Sequence, residues 1–432
     1  MPERTLILGS GIAGLSAGFH LQQEGTLGAP VIIFEKDNDW GGLCSNFTID
    51  GFRFDRFVHF TFAKEQYIQN IFNTSSPLYE HPAISNNYYK GYWLKHPAQN
   101  NLYPLAEDEK TKIIEDFKTR PQKEISEIED YATWLECQYG KYFAHNFPFA
   151  YTRKYWGKEA SELETKWVGK RMHSPSLEEM IQGASKPTDK NFYYESVMKY
   201  PKKGGFRSIL NTIREGLDIR FNKEVTAINV EEKMVSFKDG TSEKYDNLIS
   251  SLPLPEIVKM IKDVSKEVIE ASENLKYTSG YMVSLGFKRP DVAKDLWFYI
   301  YDEDILSARV YSPSLKSSDN VPEGCSSLQA EIFFANDSEV LAKEKVIENT
   351  IEKLSQIYSF DKKEIAVKDI RFEKYANVIF DHEIYKNRQI VLDYLNSVGI
   401  KSIGRFGKWE YFWTHQAFSD GKTCAEELVL CR

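Results

Sequence analysis

The stretch Thr5-Leu6-Ile7-Leu8-Gly9-Ser10-Gly11-Ile12-Ala13-Gly14 decides the reading of this 432-residue chain. A short apolar run passes straight into three glycines, and helix-like periodicity continues through Leu15, Phe19 and Leu21. A second apolar run, Val31-Ile32-Ile33-Phe34, ends at Glu35, which lies 21 residues beyond Gly14. The pattern predicts a strand, a tight loop, a helix and a second strand. Gly9 allows the turn, Gly11 lets the backbone approach a pyrophosphate, and Gly14 lets the helix pack closely on the strand. The helix start at Ile12 and Ala13 then faces the phosphates with its partial positive charge. Glu35, followed by Lys36, would accept hydrogen bonds from ribose hydroxyls. Such a unit holds a dinucleotide, and the strand before the glycines and the acid after them make that reading specific.

The next segment separates a flavin dinucleotide from a nicotinamide one. Trp40-Gly41-Gly42-Leu43-Cys44-Ser45 carries a glycine pair with no Cβ to block a flavin or its pyrophosphate. Asp50-Gly51 reads as the tight turn of a hairpin between Phe47-Thr48-Ile49 and Phe52-Arg53-Phe54. Together these elements resemble the FAD-binding N-terminus of the flavoprotein superfamily that includes amine oxidases, protoporphyrinogen oxidases and UDP-galactopyranose mutases. The resemblance implies FAD as cofactor, held by Gly9, Gly11, Ile12, Ala13, Gly14, Glu35, Lys36, Gly41, Gly42, Leu43 and Cys44. Cys44 is expected to be a small residue packed beside the cofactor rather than a catalytic thiol.

Composition is ordinary for a soluble globular protein. The length allows two or three packed units around more than one core. Aromatic residues reach 14%, enough for a stacking pocket as well as a core. A net charge of −8 argues against a nucleic-acid backbone as partner. Cys44, Cys137, Cys325, Cys424 and Cys431 show no redox or metal-ligand spacing, so free thiols and a reducing, cytoplasmic setting are expected. The first strand begins at once, so no signal peptide is expected, and no apolar run is long enough for a spanning helix.

The fold class expected is α/β: a Rossmann-like FAD-binding domain with a parallel sheet, an antiparallel substrate sheet and a helical insertion. The FAD-binding domain would comprise residues 1–75, 202–262 and 395–432. Residues 76–105 would add a segment to the substrate sheet, 106–200 would form the insertion, and 275–385 the antiparallel domain. Helical spacing at Lys112–Phe117 and from Ile125 to Tyr139, ending at Gly140, supports the insertion. Tyr281–Phe287 and Leu328–Phe333 alternate as strands with one face on a core, and a helix is expected over 338–357. Lys203-Gly204-Gly205-Phe206 is expected to open a helix, and Val225-Thr226-Ala227-Ile228 a strand.

The C-terminal stretch reads as a strand ending in Gly404-Arg405-Phe406-Gly407, then Trp409, Tyr411 and a helix near His415-Gln416-Ala417. The first turn of that helix would stabilise negative charge on reduced flavin. This segment most resembles the eukaryotic-type UDP-galactopyranose mutases, where asparagine stands at the place of His415. That resemblance implies cofactor contacts at His59, Val225, Gly404, Arg405, Tyr411, Gln416 and Ala417. It also implies a helical segment from Trp156 to Arg171, a diphosphate clamp of Arg171 and Arg309, phosphate-binding Tyr375 and Tyr411, and Trp156 in the substrate site. His59, Arg171 and Arg309 are the expected catalytic residues. In such mutases reduced FAD is a nucleophile toward a nucleotide sugar rather than a net electron donor. The phosphates need fixed cations near them, and arginine suits that task.

Each candidate has a plain alternative. Arg171 and Arg309 would serve equally as ion-pair residues, and Tyr375 and Tyr411 as packed tyrosines with satisfied hydroxyls. His59 would either approach the flavin or fill a polar niche among Phe57, Phe60 and Phe62. The mutase loop carries glycine before its histidine, whereas this chain has Phe57-Val58, which predicts a stiffer loop. The other histidines form no metal-ligand spacing, so no metal is expected. The competing function is an FAD-dependent oxidoreductase with an aromatic cage of Trp93, Trp297, Tyr299 and Tyr301. A flavin-binding protein without turnover is a third. Oligomeric state and reductant are left open by the residues.

Overall fold

Thr5–Leu8 and Val31–Phe34 pair in parallel and are buried along their whole length. They lie at the centre of a five-stranded sheet that also holds Asp218–Arg220, Asn247–Ser250 and Ile400–Ser402, every adjacent pair parallel. The chain is seen here in a computed structural model that describes residues 3–23, 30–169, 171–188, 190, 192 and 195–430. Cys431 and Lys170 lie outside the described residues. Leu6, Leu8, Ile32 and Phe34 face one apolar cluster, while Ile7, Ile33 and Ile249 face another. Burial on both faces is why these strands are apolar throughout rather than alternating.

Helix Ile12–Gln23 is wedged between this sheet and the C-terminal helix Thr414–Leu430. Gly421 lets the two helices approach, since a Cβ there would strike the Ala13 carbonyl and crowd Ala17 N at 3.0 Å. Ser16 Oγ–H donates to the Phe418 carbonyl across the contact at 2.7 Å. The two ends of the chain therefore meet beside the first glycine loop. Asn46–Ile49 and Phe52–Asp55 form the expected hairpin. Its turn uses Asp50 at φ 48° and Gly51 at φ 82°, a pair of left-handed residues that matches the twist of the strands.

A seven-stranded sheet forms the second layer. Tyr277–Phe287 pairs antiparallel with both Ile365–Val378 and Ser326–Ala335. Arg309–Tyr311 and Trp297–Ile300 continue it, and Asn86–Tyr89 and Tyr92–Lys95 close it. Two expectations change here. The sheet is mixed, because Trp297–Ile300 and Asn86–Tyr89 run parallel. It is also covered on both faces, since Ser326–Ala335 is buried at every position. Leu328, Ala330 and Ile332 pack with Val346, Leu354 and Tyr358 of helix Lys343–Tyr358, which starts later than its sequence predicts. The opposite face, with Gln329, Glu331 and Phe333, looks inward.

Helices Glu107–Lys118, Tyr131–Tyr139, Lys141–Asn146, Pro148–Trp156 and Leu177–Ser185 make up the insertion. Asp130 caps the second of them through the Thr133 N–H, and Gly140 stops it. The insertion does not stay helical to residue 200. Val197–Pro201 returns as a strand paired with Leu78–Pro82, apart from the seven-stranded sheet. Three further local expectations differ. Phe206–Leu210 is a 3-10 helix leading into the short helix Asn211–Arg214. Gly404–Gly407 is a single helical turn after strand Ile400–Ser402, not the strand's end. Residues 166–169 form a turn and Arg171 lies in a bend rather than a helix, Val168 N–H donating to the Thr165 carbonyl and Arg171 N–H to the Val168 carbonyl, with Gly169 left-handed at φ 49°. No described helix is long and apolar enough to cross a membrane.

Candidate flavin and substrate site

One cavity of about 1000 Å³ runs from the first glycine loop to an aromatic wall made by the insertion and the seven-stranded sheet. Its floor is built by glycines. Gly9 (φ 96°) and Gly41 (φ 107°) hold backbone conformations that side chains avoid. A Cβ on Gly14 would strike the Gly9 carbonyl, so helix and loop can touch only because that Cβ is missing. Gly9, Gly11, Ile12 and Ala13 line the cavity, as do Lys36, Gly41, Gly42, Leu43, Cys44, Val225, Gly404 and Ala417. Glu35 also lines it and is held firmly. One carboxylate oxygen accepts the Ser10 N–H at 2.9 Å and its hydroxyl at 2.7 Å, and the other accepts the Asp37 N–H at 3.1 Å. A pyrophosphate cradle at a helix start, an acid fixed for a ribose and this volume fit a flavin dinucleotide.

Two expected cofactor residues do not line the cavity. Gly14 works from behind the loop. Gln416 sits at the start of the C-terminal helix, where its Oε1 accepts the Trp413 N–H at 2.9 Å. It caps the helix and so aims the first turn, from which Thr414 and Ala417 do reach the cavity.

His59 reaches the cavity wall and stacks on Phe206 at 4.9 Å. Burial lowers its pKa to about 4, helped by the charges of Lys316 and Arg309 and opposed by Asp55 and the Phe57 carbonyl. The ring is therefore neutral near pH 7. Its Nδ1 lies 3.2 Å from the Phe57 carbonyl, which can only accept, so the Nδ1–H donates and Nε2 carries a lone pair. Burial, with Asp55 adding, pushes the Cys44 thiol up to about 12, which makes it an inert packing group.

At the far end Arg171 lies over the rings of Tyr411, at 4.8 Å, and Trp413, at 5.5 Å. Its Nη1 donates to the Trp167 carbonyl at 2.6 Å and its Nη2 to the Tyr411 carbonyl at 3.4 Å. Arg405 faces the Tyr411 ring at 4.9 Å and donates to Asn377 Oδ1 at 2.9 Å. The Tyr155 hydroxyl donates to the same oxygen at 3.1 Å. Arg309 enters from the seven-stranded sheet. Its Nε is paired with the fully buried Glu331, and its guanidinium lies 5.3 Å from the Tyr155 ring. No described residue takes a hydrogen bond from either Nη of Arg309. Trp156 completes the wall with Trp167 and Tyr411. Tyr375 lines the cavity, yet its hydroxyl donates to Glu256 at 2.5 Å, so its proton is committed to a carboxylate. Trp297, Tyr299 and Tyr301 face the cavity, whereas Trp93 packs away from it on Tyr88 and Phe298.

Sequence reasoning passed over Ser10, Tyr155, Asn377, Glu331 and Trp413. Ser10 stands inside the glycine motif and was readable as a donor toward Glu35. The others come from segments far apart in the chain, and only the fold brings them together. Among the described residues no cluster of histidine, cysteine or acidic side chains could hold a metal.

Comparison with known proteins agrees with this fold. Residues 12–382 match the family model of flavin containing amine oxidoreductases. The fold resembles the crystal structure of a reduced UDP-galactopyranose mutase, with a TM-score of 0.91 and 22% identity over 100% of this chain and 96% of that one. A putative protoporphyrinogen oxidase from Exiguobacterium sp. 255-15 follows at TM-score 0.77 and 16% identity, each chain covered in full. A putrescine oxidase bound to putrescine has TM-score 0.65 and 15% identity, over 100% of this chain and 99% of that one. An inactive all-trans-retinol 13,14-reductase from Danio rerio is 46% identical over 50 residues, which span 12% of this chain and 8% of that protein's length. The chain belongs to the flavin containing amine oxidoreductase family and is an FAD-dependent enzyme.

Proposed function

We propose that the enzyme is a UDP-galactopyranose mutase-like isomerase that interconverts the ring forms of a nucleotide sugar for glycan-precursor synthesis. The observation that carries this reading is that Arg171 and Arg309 face one aromatic-walled cavity that is continuous with the FAD cradle. A diphosphate leaving group must stay bound while its sugar rearranges, and guanidinium groups fixed in advance hold it at little further entropic cost. Arg171 is preset by two rings and two carbonyls. Arg309 keeps both Nη groups for an oxyanion. FAD held by the loops at Gly9, Gly11, Gly41 and Gly42 and by Glu35 would, when reduced, supply a nucleophile toward the anomeric carbon. The wall of Tyr155, Trp156, Trp167 and Tyr411 keeps water from the exposed anomeric centre. Neutral His59 offers Nε2 as a hydrogen-bond acceptor beside the cofactor. Tyr375 is left outside the clamp, because its hydroxyl proton goes to Glu256.

The test is UDP binding to the reduced holoenzyme. R171A and R309A should each weaken it by about 2 kcal/mol, roughly thirtyfold. Unchanged affinity in both would remove the clamp. A second reading, an oxidoreductase of the amine oxidase or protoporphyrinogen oxidase type, is favoured by the apolar faces of Trp297, Tyr299 and Tyr301. Incubation with UDP-galactose and dithionite, analysed for ring-contracted product, separates the two. Hydrogen peroxide formed in proportion to a substrate under air would favour the oxidase.

A further inference from the structure

Behind the cavity wall, one buried carboxylate has two different holds. Glu331 is fully buried on strand Ser326–Ala335. It stands in register with Arg309 on one side and Met282 on the other. One of its oxygens pairs with Arg309 Nε, and the other accepts the Val58 N–H at 2.5 Å. Met282, its cross-strand neighbour, accepts the preceding Phe57 N–H through sulfur at 3.0 Å. Phe57 lies in the left-handed region at φ 63°, a conformation that a bulky side chain adopts only under constraint. The two successive N–H groups that define this turn thus end on two side chains of the substrate sheet, and the next residue is His59.

We propose that Glu331 is a positioning residue that ties the anion-binding Arg309 to the His59 loop. Its first oxygen aims the guanidinium by occupying Nε, which leaves the two Nη groups for an oxyanion. Its second oxygen fixes the peptide that sets the direction of His59. An oxyanion drawing on Arg309 competes with Glu331 for the same guanidinium, so its arrival is felt at the loop. The Arg309–Glu331 pair is formally neutral, so the net cation of the clamp is Arg171. The anion half of this inference rests on the proposed clamp; the loop half does not.

The test uses the full chain reconstituted with FAD. In Glu331→Gln one carbonyl oxygen is left for two donors, so either Arg309 Nε–H or the Val58 N–H must face the NH₂ group and the tie between them is broken. UDP affinity should shift about tenfold from wild type although Arg309 is retained, since the guanidinium gains net charge and loses its fixed aim. Two neutral replacements of the pair isolate the loop. R309M/E331Q keeps an acceptor for Val58 and R309M/E331M does not, while the net charge is the same in both. The flavin's two-electron reduction equilibrium, measured without ligand, should match wild type in the first and move about tenfold in the second. Exchanging a buried ion pair for neutral side chains of similar volume is tolerated by many folds. Should the methionine pair fail to fold, R309L/E331L gives the same contrast. Equal flavin equilibria in the two double variants would overturn the inference, as would wild-type UDP affinity in E331Q. If the wild-type protein binds no UDP, the clamp reading falls, and the contrast between the double variants still judges Glu331.

Discussion

Of the strands that are buried from end to end, Val31–Phe34 and Ser326–Ala335 are built in opposite ways. Val31–Phe34 is apolar at every position because both faces of the parallel sheet are covered by other apolar elements. Ser326–Ala335 is equally buried, yet it carries Ser327, Gln329 and Glu331 at alternate positions. Their polar atoms are matched one by one. Gln329 donates to the Asp55 carbonyl and to Ser284 Oγ, each at 3.1 Å, and accepts the Tyr311 hydroxyl at 2.6 Å. Nearby, Lys316 pairs with Asp55 at 3.2 Å and lies 4.4 Å from the Tyr311 ring, with no exposure at all. In the first strand burial is met by hydrophobic transfer, in the second by a closed polar network. The first strand belongs to one region, the sheet beside the glycine loops, and the second to another, the sheet that carries Arg309 into the cavity.

The largest expected effect tests the first region. Gly14→Val places a branched side chain against the Gly9 carbonyl, a backbone atom that cannot turn aside. The helix start and the first loop must separate, at a cost of about 3 kcal/mol or more, and the purified protein should retain little FAD. Absorbance in the flavin band after gel filtration measures this. A yellow variant of normal stability would show that the close approach does not matter.

Gln329→Leu then breaks the second region. If its face looked onto solvent, as strand alternation alone suggests, the change would fall within about 0.5 kcal/mol. With Tyr311 and the Asp55 carbonyl left unpaired in the interior, the loss should be about 3 kcal/mol by urea unfolding. A neutral result would mean that the network adds nothing to stability.

This contrast also shows why parts of the molecule were legible and others were not. The dinucleotide unit is encoded locally. Gly9, Gly14 and Glu35 each act within a few tens of residues, and a hairpin turn such as Asp50-Gly51 announces itself. The period of strand Ser326–Ala335 was equally readable, but its meaning was not. A polar residue every second position marks a face, and nothing in the sequence says whether water or another protein surface lies on it. Arg171 was found through resemblance while its setting was misread as a helix, because Gly169 and the preceding turns are shaped by the tertiary packing of Trp167. Gln416 was placed on the flavin because capping and ligand binding both draw on residues in the first turn of a helix.

Acid should strike the second region through His96. This ring lies 4.9 Å from that of Tyr299, with Nδ1 3.1 Å from Asn87 Oδ1, and burial lowers its pKa from 6.5 to about 4. The folded state keeps the ring neutral while the unfolded chain takes up a proton below pH 6.5. Stability is therefore complete above that pH, falls as the pH drops toward 4, and levels off below. At pH 5 the loss is about 2 kcal/mol. Carboxylates titrate over the same range, so the measurement is the difference between wild type and His96→Gln. The variant should lose less stability between pH 7 and pH 5, and parallel curves would show that His96 is not held neutral.

The smallest expected effect sits where the two regions touch. Phe57 places a buried ring on Phe333 at 5.6 Å while its backbone remains at φ 63°. Ring packing favours phenylalanine there and backbone sterics favour glycine, and the chain follows the packing. Phe57→Ala removes the ring and keeps the strained backbone, whereas Phe57→Gly removes both. Both variants should be less stable than wild type, with glycine above alanine by about 1 kcal/mol, the cost of a left-handed residue that has a Cβ. That order reverses the usual one, in which glycine is the less stable because its unfolded chain is freer. Urea unfolding of the two variants decides it. If alanine proves the more stable, residue 57 does not hold a left-handed turn in solution, and the N–H groups of Phe57 and Val58 are not fixed by Met282 and Glu331 as the geometry requires.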